Sequence, residues 1–396
     1  MTSTGPKITI KKRGFAATRS ASLTLFIIVG TCVTFTGCPL VTPSDPAVIT
    51  AEPLAVIGGD AESRLRRRID LVLDQNLTHR RLAVDQQSAW QIMHGVLAYG
   101  RDFTVDASGQ PVNAVDYVLA GGFVDGLVLR SGDLFDADVV GDAESNAKDT
   151  RGIRADLNPG TKLGQGHRDQ WLAYLAACEL PEDQIVQTID GPRRLSNWLR
   201  QIEWDVPMNF EREYSWTLMS LVPYRTSDHR WTARDGQDYS IESLLKSEVA
   251  MLSPSSACGG SHRLTAIAIA VKARRDEGKP MTGTWADAAL LIETAMEQAI
   301  EFRSGDGTFS SQYFERPGRS LDLAVNIGAT GHTLEFFAVA APDELLATEA
   351  ITRAANRLCE MLEQTATIDL ECGALYHAIS GLQIYRRRLA AITASS

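Results

Sequence analysis

From about residue 61 onward, apolar positions recur at helical spacing, and the segments they mark are of two kinds. Thr284 to Phe302 sets Trp285, Ala288, Leu291, Ile292, Ala295 and Ala299 on one side and Glu293, Glu297 and Glu301 on another, a helix with one wet face. Leu264 to Val271 and Phe336 to Ala341 carry no charge, so those segments must be covered all round. Helices are expected to begin near Ala61, Val84, Pro111, His167, Asp183, Arg212, Ser240, Gly259, Thr284, Gly328, Asp343 and Glu371, with few strands between them. Twelve helices in which wet-faced and covered segments alternate predict an all-α body at 61–396 of about six helical hairpins. An α/α toroid, with an inner ring of parallel helices inside an outer ring, satisfies that alternation, and so does an open helical solenoid. The glycine-rich stretch 122–166 interrupts the pattern and is expected to fold over one end of the barrel as a loop, small hairpin or lid.

Five of the seven histidines, His94, His167, His262, His332 and His377, fall in or at the start of these apolar segments. Parallel inner helices would open their N-termini on one rim, where helix dipoles hold imidazoles neutral and fit to act as bases or ligands. His332 and Glu335 lie three apart on one helical face, and a carboxylate buried there needs a partner, for which the imidazole is nearest by spacing. The sixth helix carries Glu213-Tyr214-Ser215-Trp216 where a histidine would repeat, which offers an acid and an aromatic wall. Tyr376, beside His377, offers a second wall. Against this stands the plain alternative that such histidines cap helices or bond neighbouring carbonyls.

The N-terminal residues change the picture of where the body works. Lys7, Lys11, Lys12, Arg13 and Arg19 precede an apolar core at Leu23 to Val29, the layout of an export signal over residues 1–37. That core leads to Phe35-Thr36-Gly37-Cys38, which resembles the lipobox of bacterial lipoproteins. The resemblance implies cleavage before Cys38, acylation of that cysteine, and membrane attachment through the lipid. Pro39 follows the cysteine where an inner-membrane retention signal would have Asp, so the resemblance implies the outer membrane or the periplasmic face of the cell envelope. The proline-bearing stretch 38–60 reads as a tether. Without residues 1–37 the chain keeps 34 Lys and Arg against 49 Asp and Glu, a formal charge of −15 that argues against nucleic acid as a partner.

Ser304-Gly-Asp306-Gly307-Thr-Phe309 resembles the Asp-Gly-x-Phe/Trp turn of terpenoid cyclase and protein prenyltransferase toroids. Gly328-Ala-Thr-Gly331-His332 is similar to the inner-helix openings of those folds and of lanthionine cyclases. Trp90-Gln-Ile-Met-His94, Cys258-Gly-Gly-Ser-His262, Gly331-His-Thr-Leu-Glu335 and Glu371-Cys-Gly-Ala-Leu-Tyr-His377 together resemble a family of exported bacterial proteins without an assigned activity. The likeness implies a toroid more than a chemistry, because the Asp-x-Asp-Asp run of squalene–hopene-type cyclases is absent and the prenyltransferase zinc pattern is met only by Glu371-Cys372.

Three functions follow from these residues. An enzyme acting on a polysaccharide or related small molecule by hydrolysis or elimination would use His332 or His262 as base, Glu335 or Glu213 as acid partner, and Trp216 and Tyr376 as stacking walls, with His94, His167 and His377 completing the pocket. A zinc enzyme would join Cys258 and Cys372 to His262, His332 or His377. A lipid-anchored binding or scaffold domain would need no cofactor and would tie Cys258 to Cys372 as a disulfide.

Overall fold

The computed structural model describes residues 59–135, 150–209, 213–253 and 255–395. The chain divides into two units, 1–51 and 52–396, and everything described belongs to the second. The export signal, Cys38 and nearly all of the tether lie outside the described residues.

The helices pair as an outer one followed by an inner one: α1 (Gly59–His79) with α2 (Ala89–Tyr99), α3 (Ala114–Leu119) with α4 (Gln170–Ala176), and α5 (Leu195–Asp205) with α6 (Ser215–Leu221). Three longer pairs complete the ring: α7 (Ile241–Met251) with α8 (Ser261–Asp276), α9 (Thr284–Phe302) with α10 (Leu323–Ala340), and, after the single turn α11 (Asp343–Leu346), α12 (Glu349–Gln364) with α13 (Cys372–Ser395). Each inner helix packs on the next and α13 returns to α2, so the inner ring closes, and on the outside α12 packs on α1. That closure decides for the toroid over the open solenoid. The amphipathic pattern is what sorts the two layers. Helix α9 buries Trp285, Ala288, Ile292, Ala295, Met296 and Ala299 and leaves Leu290 in water, whereas every residue of α10 from Ile327 to Ala338 is buried. Among the described residues no helix is long and apolar enough to cross a membrane.

The described residues include four two-stranded antiparallel hairpins, of which only the one within 122–166 was among the expectations. They are β1 (Thr104–Ala107) with β2 (Gln110–Asn113), β3 (Leu129–Leu134) with β4 (Arg151–Ala155), β5 (Ile185–Thr188) with β6 (Gly191–Arg194), and β7 (Arg230–Thr232) with β8 (Asp238–Ser240). Three of them run straight into an outer helix, so the helices expected from Pro111 and Asp183 start later, at Ala114 and Leu195. Strand ends double as helix caps: the Asn113 side chain accepts from the Asp116 amide and Ser240 Oγ from the Ser243 amide. In the first hairpin Ser108 and Gly109 both take positive φ (56° and 80°), the two-residue turn that matches strand twist.

Two boundaries move the site. Asp322 caps α10 by accepting from the Ala324 amide at 2.8 Å, so the helix starts at Leu323, five residues before the expected Gly328, and His332 lies in mid-helix. Ser88, held with Gln91 in a capping box, likewise starts α2 later than Val84. Of the stretch 122–166, residues 136–149 lie outside the described residues. Gly132 and Gly152 of its hairpin rest on Gln201 of the outer helix α5, whereas Gly160, Thr161 and Gly166 reach the mouth of the barrel.

Candidate functional site

The lumen of the ring holds two cavities of about 510 Å³ each. One is walled by the first turns of the inner helices, from Trp90, Cys258, Ala324 and Gly373 down to His332; the other by their later turns, from Thr265 and Val339 to Gln383 and Ile384. The inner helices therefore run parallel. Trp216, Tyr174, His262 and His377 border both cavities, so an aromatic and imidazole layer partitions the lumen.

Glycines put that layer together. A Cβ on Gly331 would stand 2.6 Å from the Ala378 Cα, and one on Gly381 would stand 2.8 Å from the Glu335 amide nitrogen, so α10 and α13 approach as only glycine allows. The approach stacks His332 on His377 with ring centroids 4.1 Å apart. His262 of α8 lies 5.0 Å from His377 and 5.3 Å from His332, and His94 of α2 lies 5.6 Å from His377. His167, just ahead of α4, joins the same cavity beside Trp216 at 5.7 Å. All five sequence-nominated histidines therefore converge.

Hydrogen bonds fix the tautomers. His332 Nδ1–H donates to the Gly328 carbonyl at 2.7 Å, His94 Nδ1–H to the Trp90 carbonyl at 2.6 Å, and His377 Nδ1–H to Glu335 Oε2 at 2.7 Å. Each leaves an Nε2 lone pair. That of His94 is taken by the Tyr174 hydroxyl at 3.2 Å, and Tyr174 is held in turn by Gln170 at 3.1 Å. His262 Nε2 is buried and meets no partner. Glu335 thus bonds across to α13, although its spacing pointed to His332 on its own helix. Long-range approach of two helices outcompeted the i,i+3 neighbour.

Burial keeps the His94, His262 and His332 rings uncharged. It draws His94 and His332 down to about 3, with the neighbouring His377 imidazole adding to it, and takes His262 well below the ordinary imidazole value. Burial also opposes ionisation of Glu335, but the His377 ring outweighs it and holds this carboxyl below its usual range. At the mouth, Glu371 is brought down to about 2: burial works against it, and the amides of Ala374 and Gly373, then Lys162 and Trp90, overcome it.

Cys258 opens the α8 turn in an unusual conformation. Cys258, Gly259 and Gly260 carry φ of 49°, 64° and 84°, and a Cβ on Gly259 would run into Tyr313, itself at φ 54°. Two non-glycine residues in the left-handed region facing each other are strained, and here they bring the Tyr313 hydroxyl against the Cys258 thiol. Burial pushes that thiol up to about 11, which sets it apart from an activated nucleophile. The ligand atoms of Cys258, His262 and His332 all lie within 4.8 Å of one another, a donor set able to hold a metal ion.

Other expectations fail on geometry. Cys372 lies outside this group, half-buried against the apolar core, and Cys258 and Cys372 are both free thiols rather than a disulfide. Tyr376 faces away from the lumen and meets Phe103 edge-on at 5.9 Å. Glu213 lines neither cavity; it stands 3.8 Å from Arg263, which pairs with the fully buried Glu248 at 2.8 Å, and that cluster braces α6, α7 and α8. Trp90, Gln170, Tyr174, Tyr313 and Glu371 line the cavity without having been nominated. Trp90 stands four residues before His94 and could have been read from that spacing; Tyr313 sits in a loop with no periodicity to betray it.

No family model, no curated protein and no solved structure matches this chain.

Proposed function

We propose that the chain is an exported, lipid-anchored toroid enzyme that acts on a polysaccharide fragment or related polar small molecule by hydrolysis or elimination. The observation that carries this reading is His377, at the floor of the cavity on the N-terminal side, held from behind by Glu335, which lines the C-terminal cavity. A buried carboxylate that holds Nδ1–H and leaves Nε2 free is the arrangement of an oriented general base. Trp90, Trp216 and Tyr313 supply flat walls on which a sugar ring can stack, and the Tyr313 hydroxyl is a neutral proton donor, because burial raises its pKa. Glu371 stays ionised at the mouth and is suited to binding rather than to proton donation.

Incubation of the protein with neutral and uronate-containing oligosaccharides, followed by new reducing ends or by the absorbance of an unsaturated uronate, tests the reading. Turnover by the wild type that is lost in His377→Ala and Glu335→Gln, with circular dichroism unchanged, is expected. Full turnover in both variants, or no binding or turnover of any saccharide by the wild type, would sink it. For the anchor, fatty-acid labelling is expected in the wild type and lost in Cys38→Ala; label that persists in the variant removes the lipid.

A further inference from the structure

We infer that Cys258, His262 and His332 bind a divalent transition metal of the zinc class, with a fourth coordination position open to the cavity. This deepens the catalytic reading above and rests on it only for the use to which the metal is put.

The donor set is the first argument. One thiolate and two imidazoles suit zinc, cobalt and their neighbours and are poor ligands for magnesium or calcium. Their ligand atoms lie within 4.8 Å of one another. Bonds of about 2.0–2.3 Å in a tetrahedron need donors roughly 3.3–3.7 Å apart, so small side-chain rotations close the set. The second argument is independent of proximity. His332 gives Nδ1–H to the Gly328 carbonyl, the outer-shell bond that fixes a ligating imidazole with Nε2 presented. His262 Nε2 is buried without a partner, an expensive state for a ring nitrogen unless something else occupies its lone pair. The third is backbone strain. Cys258 is held at φ 49° and ψ 41°, and the glycine after it cannot carry a side chain, so the turn keeps a conformation that costs stability and directs the thiol at the two rings.

Charge agrees. A thiolate and two neutral imidazoles leave a divalent ion with one positive charge, and Glu335, behind His377, and Glu371, at the mouth, are the nearby carboxylates that offset it. Three protein ligands with the fourth position facing a cavity is the pattern of a catalytic rather than a structural site.

The test is metal analysis of the full chain purified without chelator, followed by stripping and titration with Co²⁺. About one equivalent of zinc per chain, and a thiolate-to-cobalt charge-transfer band on titration, are expected. Cys258→Ser should lose that band and most of the metal, and His332→Ala should lose the metal; Cys372→Ser should keep both. Since removing an imidazole from the layer can unfold it, circular dichroism accompanies each variant, and Cys258→Ser, at the half-buried edge, is the decisive one. Substoichiometric metal with no thermal stabilisation by added Zn²⁺, or a charge-transfer band that survives Cys258→Ser, overturns the inference. Turnover by metal-free protein would overturn the catalytic use of the metal, while sparing the catalytic reading. Stoichiometric metal in a chain that turns nothing over would support the site and remove catalysis.

Discussion

The two halves of the lumen have the same volume and different linings. On the N-terminal side, imidazoles, a thiol and a carboxylate converge. On the C-terminal side Met219, Ile269, Val339 and Ile384 share the wall with the buried Glu335 and Ser380 and with the exposed Arg101 and Arg387. Cavity size therefore says nothing about which end works. What differs is which groups stand there: Cys258 and His332 line only the N-terminal cavity, whereas Glu335 and Ser380 line only the C-terminal one. The partition between the halves is itself the candidate site, since Glu335 is reached from the C-terminal side while the ring it orients faces both.

The largest effect should come from forcing that partition apart. Gly331→Val would drive a branched side chain into the Ala378 backbone and is expected to destabilise the fold by about 3 kcal/mol or more in chemical denaturation. One turn earlier, Gly328→Ala meets only the Ala374 Cβ, at 3.3 Å, and should change stability by less than about 1 kcal/mol. Equal effects at the two positions would mean that the close approach of α10 and α13 is not what assembles the layer.

Next comes the carboxylate. Glu335→Gln keeps the shape and removes the charge, and is expected to abolish turnover while costing about 1–3 kcal/mol in a thermal or urea melt. A stability loss of that size with turnover intact would assign the pair to structure alone.

Smaller, and opposite in sign at two places, are the pH effects. His94 has a folded value of about 3, below its unfolded value, so its contribution is present above about pH 6.5 and is lost as pH falls toward 3, with a slope of up to about 1.4 kcal/mol per pH unit. Asp169, the residue before α4, is raised to about 7 by burial, against hydrogen bonds from Thr217 and Asn209. Its contribution is complete below about pH 3.8 and is lost as pH rises through 7. Urea melts between pH 4 and 8 should show His94→Gln removing a rise of stability with pH up to about 6.5, and Asp169→Asn removing a fall of stability with pH up to about 7. Unchanged pH dependence in both variants would show that neither group is buried as described.

The smallest effect is expected from filling the C-terminal half. Val339 lines the C-terminal cavity and not the N-terminal one, and Val339→Phe should leave turnover within about twofold. A large loss would mean that substrate enters from that end and that the two halves are one site.

Much of the ring was legible before any coordinates. The charged stripe of α9 and the uncharged run of α10 assigned them to outer and inner layers, because 3.6-residue periodicity records which face meets water. The hairpins were harder, since strands of three or four residues carry too few alternations to compete with helical spacing. Their signal was in the turns Ser108-Gly109, Asp190-Gly191 and Asp235-Gly236, each shortly ahead of an outer helix. The five histidines stood out from their apolar surroundings, and Cys258 from its glycines. Their partners did not: Glu335 was read as belonging to His332, and Glu213 and Cys372 as belonging to the pocket.

By itself the sequence determined what each segment must bury, and hence that helices alternate in two layers and that imidazoles lie among apolar neighbours. Only the tertiary structure decided which atoms meet. His377 and Glu335 are forty-two residues apart, and they bond because Gly331 and Gly381 let two backbones come closer than side chains normally permit. Periodicity is a local record of burial, whereas the register between two helices is set by the shapes that interlock when they pack, and no single segment carries that information.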